Sequence, residues 1–161
     1  VAALNGVAAG AGAVIALACD LRVADERAKL AFLFVKVGLA GADMGAAWLL
    51  PQVIGLGRAS ELLMLGDAVS AREALAMGLV NRVTAEGQAL TEALALARRL
   101  AEGPTFALGM TKVMLSQESG LSLPQALEAE AQAQQICMQT NDFREAHDAF
   151  VTKRTPRFQG F

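Results

Sequence analysis

Apolar residues in the first half of the chain come in short runs, broken by glycines and isolated charged positions. Val1–Leu4 predicts a buried strand, followed by a glycine-bearing turn and an apolar helix over Gly12–Ala18. Leu21–Ala24 alternates in the manner of a strand, and Lys29–Phe32 is a second candidate. Phe34–Asp43 reads as irregular, with Gly38 and Gly41 as breakers. Met44–Ile54 has helical spacing, although Pro51 stands inside it. Arg58–Leu65 predicts a helix closed by Gly66. Ser70 opens another, with Glu73 placed for a capping box and Gly78 as the stop. Leu79–Val83 is a further strand candidate.

After Thr84 the helical period takes over. Gln88–Ala101 is amphipathic and ends at Gly103, and Pro104 opens a helix running to about Glu118. Ser122–Thr140 is a long helix that tolerates Pro124 in its first turn, and Asn141–Thr152 is the last before a Lys153–Phe161 tail. The pattern thus separates an α/β part, residues 1–87, from a helical part, residues 88–161. Leu94, Leu100, Phe106, Met110, Met114, Leu127 and Ile136 of the helical part need a covering surface, from the first part or from other subunits.

At 161 residues the chain can bury a substantial core. Hydrophobic residues make up 54%, yet no apolar run suits a bilayer span, so no membrane partner is expected. No basic leader precedes the first strand, and a net charge of −2 excludes a nucleic-acid footprint. Cys19 and Cys137 lie far apart and read as reduced thiols of a cytoplasmic protein. With His147 as the sole histidine, no Cys/His metal cluster can be assembled. The chain opens on a strand-like run without Met, the expectation being that it belongs to a longer polypeptide.

The most pointed chemical feature is Gly10-Ala11-Gly12 at the start of the first helix. A helix's first turn leaves amide hydrogens without internal acceptors, and small residues admit a ligand to them. Such a turn can hold a developing oxyanion, or it can simply pack strand against helix.

The ordered set of motifs goes further. Asn5-Gly6, Gly10-Ala11-Gly12, Cys19-Asp20, Val37-Gly38-Leu39, Leu50-Pro51-Gln52-Val53-Ile54-Gly55, Ala59–Asp67, Gly78-Leu79-Val80 and Ala149–Phe158 together resemble the enoyl-CoA hydratase/isomerase, or crotonase, family over essentially the whole chain. The resemblance implies an α/β spiral of short strands and helices, here its C-terminal part, followed by a helical oligomerisation region. It also implies a further N-terminal stretch carrying a first oxyanion-hole amide. It implies trimers or hexamers, an acyl-CoA thioester as substrate, and no separate cofactor, CoA being part of the substrate.

Within that resemblance Ala11 matches the residue whose N–H holds the thioester oxygen, flanked by Gly10 and Gly12 in the substrate site. The two hydratase glutamates fall on Val14 and Phe34, neither of which transfers a proton. Asp43 is the nearest remaining carboxylate, and with a one-residue shift it matches an acid/base aspartate of the dienoyl-CoA isomerase branch. As an N-cap of the following helix it has an equally good explanation. Burial among Phe34, Leu39 and Met44 would raise its pKa toward a useful value. Leu39 is placed against the acyl group, and Phe150 with Lys153 against the nucleotide end of CoA, unless Lys153 and Arg154 form only a solvated tail. Trp48 reads most simply as core, with an acyl-pocket role as the alternative, and His147 as exposed or capping. The resemblance therefore implies an enzyme of enolate chemistry, isomerisation over plain hydration, with a non-catalytic acyl-CoA-binding or assembly protein as the alternative.

Overall fold

Short strands and helices alternate through the first ninety or so residues, as the broken apolar pattern requires. The computed structural model describes all 161 residues. In chain order it contains β1 (Ala2–Leu4), β2 (Val7–Ala9), α1 (Ala11–Leu17), β3 (Arg22–Asp25), β4 (Lys29–Ala31), α2 (Ala46–Ile54), α3 (Leu56–Leu65), β5 (Ala68–Ser70), α4 (Ala71–Ala76), β6 (Arg82–Thr84), α5 (Ala89–Ala101), α6 (Thr105–Gln117), α7 (Leu123–Cys137) and α8 (Asn141–Val151). The chain divides into two compact units, Val1–Leu96 and Ala97–Phe161, and the division falls inside α5. No helix is long and apolar enough to cross a membrane.

The first unit holds two three-stranded sheets. One runs β1-β3-β6, parallel throughout; the other runs β2-β4-β5, with β2 parallel and β5 antiparallel to β4. Parallel neighbours cannot be joined by tight hairpins, so the intervening helices carry the chain back across the sheets. These helices and sheets enclose one apolar core, where Leu30, Leu50, Leu79, Phe32 and Val14 are all but fully buried.

Two charged side chains mark the ends of the buried strand β3. Arg22 at its start is 5% exposed and spends its guanidinium on backbone carbonyls: Nε donates to Leu79 O at 2.6 Å, and one terminal nitrogen donates to Leu17 O at 3.2 Å and to Cys19 O. Asp25 at its end accepts from the Ala89 amide at 2.8 Å, the Gly87 amide at 3.1 Å and the Thr84 hydroxyl at 3.2 Å. It thereby fixes the turn from which α5 departs. Burial alone would raise the Asp25 pKa; the Ala89, Gly87 and Thr84 donors outweigh it and hold the carboxyl below its ordinary range.

The long apolar patterns form the elements they predict. The capping box at Ser70 and Glu73 is present, with Glu73 accepting from the Ser70 amide at 2.8 Å. Three-residue strands β2 and β5 were not anticipated, being too short to show a period. Leu33–Val37, read as irregular, is a 3-10 turn. Trp48, read as core, lies 61% exposed on α2. Its neighbour Leu50 takes the inward face instead.

The second unit is helical. A cleft of about 560 Å³ opens between α6 and α7, lined by Met110, Met114, Leu127 and Cys137. Leu100, Phe106, Leu127 and Ile136 remain exposed to different degrees, so the need of this face for a cover persists. Beyond α8 the tail turns back. The buried Asp142 carboxylate accepts from the Gln159 amide at 2.6 Å and the Gly160 amide at 2.8 Å, while the Asn141 amide donates to Phe161 O at 3.0 Å. Glu145 forks onto Arg154 at 2.5 and 2.8 Å and accepts the Arg157 amide at 2.7 Å.

Those contacts hold the Glu145 carboxyl at a pKa of about 2, with the Arg154 side chain as the largest cause and the Arg157 amide next. A depressed acid contributes its stabilisation above its unfolded value and loses it as pH falls through its folded value. The tail is therefore expected to keep this anchor from neutral pH down to about pH 4, and to release it only on approach to pH 2. Limited proteolysis at Arg157 with an acid-active protease across that range checks the expectation; release near pH 5 would contradict it.

Candidate active site

The glycine turn is built by the end of β2 and the start of α1. Gly10 caps α1 at φ 52° and ψ −120°, a conformation open to glycine and closed to residues with a Cβ. Its amide donates to Ala31 O on β4 at 2.9 Å, so the turn is tied to the neighbouring strand. The first amide to bond within the helix is that of Val14, onto Gly10 O at 3.2 Å. The amides of Ala11, Gly12 and Ala13 precede it in the first turn, where a helix offers no internal acceptors. Ala11 and Gly12 are exposed, and no heavy atom lies within 4 Å of a Cβ built on Gly12. The chain therefore presents accessible backbone donors at the partly positive end of a short helix.

Val14 and Phe34 do not share that accessibility. Val14 is 2% exposed and Phe34 9%, both within the apolar core. The Phe34 ring edge lies 4.0 Å from a Cβ built on Gly10, so it floors the turn. At these two positions the structure supplies packing surface and no proton-transfer group.

Asp43 sits on the loop between the 3-10 turn and α2. Its Oδ1 accepts from the Met44 amide at 2.9 Å, and its carbonyl accepts from the Ala46 amide at 2.9 Å. The N-cap of α2 is Gly45, not Asp43. The helix begins two residues later than the apolar pattern predicts, because Met44 and Gly45 both adopt positive φ, 51° and 88°. The expected burial of Asp43 is also absent. Asp43 is exposed, as are Leu39 at 60% and Met44 at 53%. The loop is seated instead by Gly41, where an added Cβ would fall 2.3 Å from the Leu63 carbonyl oxygen on α3. No sequence signal separates this glycine from an ordinary breaker.

In the second unit, Phe150 and Lys153 stand at the C-terminal end of α8. Phe150 is 84% exposed. Lys153 is exposed and left-handed at φ 55°. Arg154, its neighbour in the basic pair, is engaged by Glu145. His147 is exposed beside Asp148, as expected. Cys19 and Cys137 are both free thiols.

Set beside known proteins, residues 1–160 match the family described as enoyl-CoA hydratase/isomerase. The chain is 40% identical over 160 residues to the 1,2-epoxyphenylacetyl-CoA isomerase of Escherichia coli K12, covering 99% of this chain and 61% of that protein. It is 33% identical over 158 residues to a crotonyl-CoA hydratase of Syntrophomonas wolfei, covering 98% and 60%. A crystal structure from Streptomyces coelicolor A3(2), of a protein to which enoyl-CoA hydratase activity is ascribed, superposes with a TM-score of 0.96 at 54% identity, covering 99% of this chain and 58% of that one. The chain thus spans about three fifths of the length of these relatives.

Proposed function

Because the chain belongs to the enoyl-CoA hydratase/isomerase family, we propose that the protein acts on an enoyl-CoA or related acyl-CoA thioester and stabilises its enolate. The observation that carries this reading is the Gly10 cap, whose left-handed geometry opens the Ala11 amide toward an approaching oxygen. Removal of a proton from the substrate sends the C–H electron pair into the thioester, and the charge collects on its oxygen. The Ala11 N–H donates to that oxygen; a second amide, from residues outside this chain, completes the pair of donors. Asp43 takes the proton and returns it at another carbon, which shifts a double bond with no net gain or loss of atoms. Water addition is disfavoured, since Val14 and Phe34 leave no pair of carboxylates to orient and deprotonate water. Relatives named for isomerisation and for hydration both resemble the chain, so the preference rests on these two side chains.

Leu39 and the exposed Trp48 would contact the acyl group. Phe150 and Lys153 would meet the nucleotide end of a CoA, in the same or a neighbouring subunit. Assembly into trimers or hexamers would cover the exposed apolar residues of α6 and α7.

Asp43→Asn tests the proton shuttle. A positioned acid/base contributes about 10²–10⁴-fold, so kcat is expected to fall by at least the lower figure across a panel of enoyl-CoAs, with KM nearly unchanged. Unchanged turnover would remove Asp43 from the mechanism. A second reading, an acyl-CoA-binding or assembly protein without turnover, draws on the exposure of Asp43 and the apolar replacements at Val14 and Phe34. Measurable CoA-thioester binding by a parent protein that turns over none of the panel would favour it.

A further inference from the structure

We infer that Glu145 is the positioning residue of the basic corner at the end of α8: by engaging Arg154 it leaves Lys153 as the cation that meets a phosphate of CoA. This deepens the reading above and rests on it. The sequence offers Lys153, Arg154 and Arg157 within a few residues of the exposed Phe150, with nothing to rank them. The structure ranks them. Both Glu145 oxygens take the Arg154 guanidinium in a two-point fork, at 2.5 and 2.8 Å, a geometry that consumes the planar face an arginine would turn to a phosphate. Lys153 makes no ion pair and is exposed.

The backbone shows why a lysine is held there. The Lys153 amide donates to Phe150 O at 3.2 Å, and the Arg154 amide donates to Ala149 O at 2.9 Å. This is the paired closure of a helix whose following residue turns left-handed, a place usually given to glycine. Lys153 occupies it at φ 55°, a conformation unfavourable for a residue with a Cβ. Strain kept at a single exposed cation points to a use for that cation. The Glu145 fork on Arg154, together with the Arg157 amide on Glu145 Oε1, pins the chain immediately after Lys153 and maintains the turn. Phe150 stands three residues earlier, an open aromatic face beside the cation and suited to a nucleobase.

Three variants and two probes test this, with CoA and pantetheine binding measured by calorimetry on the whole protein. Glu145→Gln is expected to weaken CoA binding about tenfold, the worth of one charge-assisted contact, and to leave pantetheine unchanged because it carries no phosphate. Lys153→Gly should lose CoA affinity to the same degree while its Tm holds or rises, since glycine relieves the turn. The double variant should be no worse than either alone. The inference is overturned if Glu145→Gln binds CoA like the parent, if it loses CoA and pantetheine alike, if Lys153→Gly keeps full CoA affinity, or if the two losses multiply. A parent that binds no CoA overturns the acyl-CoA reading and this inference together. A parent that binds CoA, with Glu145→Gln unchanged, overturns this inference alone.

Discussion

Ala11→Pro is expected to lower kcat on enoyl-CoA substrates by about 10²–10³-fold, the cost of removing one oxyanion donor. Proline deletes the amide hydrogen and little else. Ala11 is the first residue of α1, and proline is favoured at the first helical position, where its fixed φ suits the helix and its missing N–H breaks no internal bond. The helix and the core beneath it should therefore survive, with Tm close to that of the parent. Steady-state kinetics beside a thermal melt separates the two effects. A normal melt with undiminished kcat would show that the turn packs strand against helix and does no more. A substitution with a larger side chain is less informative, because it blocks access without removing the donor.

The largest structural effect is expected at Arg22. Arg22→Met keeps the aliphatic stem and withdraws the donors, leaving the carbonyls of Leu17, Cys19 and Leu79 without them. At roughly 1 kcal/mol or more for each unsatisfied buried carbonyl, the loss should reach about 3 kcal/mol. A urea titration with an unchanged slope and a lowered midpoint is the expected signature. Those carbonyls belong to the end of α1, the turn after it and the approach to β6, so Arg22 joins segments that apolar contact alone would leave free to slide. Burial pulls the guanidinium pKa down from its usual value, with Cys19 and Asp20 opposing. A shift within about a unit above thermal noise would return Arg22 to the status of an ordinary buried cation.

How much of this was legible beforehand depended on the range of the forces involved. The helices from Ala89 onward follow from the apolar period, and the Ser70–Glu73 box from a local side-chain exchange. The glycine turn was found because glycine at a helix start has a local meaning. Asp43 was located, but its surroundings were misjudged. Apolar neighbours in sequence implied burial, whereas Leu39 and Met44 turn outward once Met44 and Gly45 adopt positive φ. Trp48 fails for a related reason, since helical spacing says which residues share a face and not which face is covered. The roles of Arg22, Asp25 and Glu145 were hidden because each depends on partners brought close only by the fold, as with Asp25 and the amide of Ala89. Strands as short as β2 and β5 carry no period at all and exist only by pairing with β4.

The seat of Gly41 against the Leu63 carbonyl bears on how this loop could be re-engineered. Any side chain at 41 would push backbone against backbone, since neither partner is a flexible tip that can swing aside. A mutational library aimed at altered acyl selectivity should therefore hold position 41 constant and place its diversity at 39, 40 and 42, where the chain is exposed. Randomising the whole loop would spend most of its members on variants whose carboxylate has moved before any new pocket is tried.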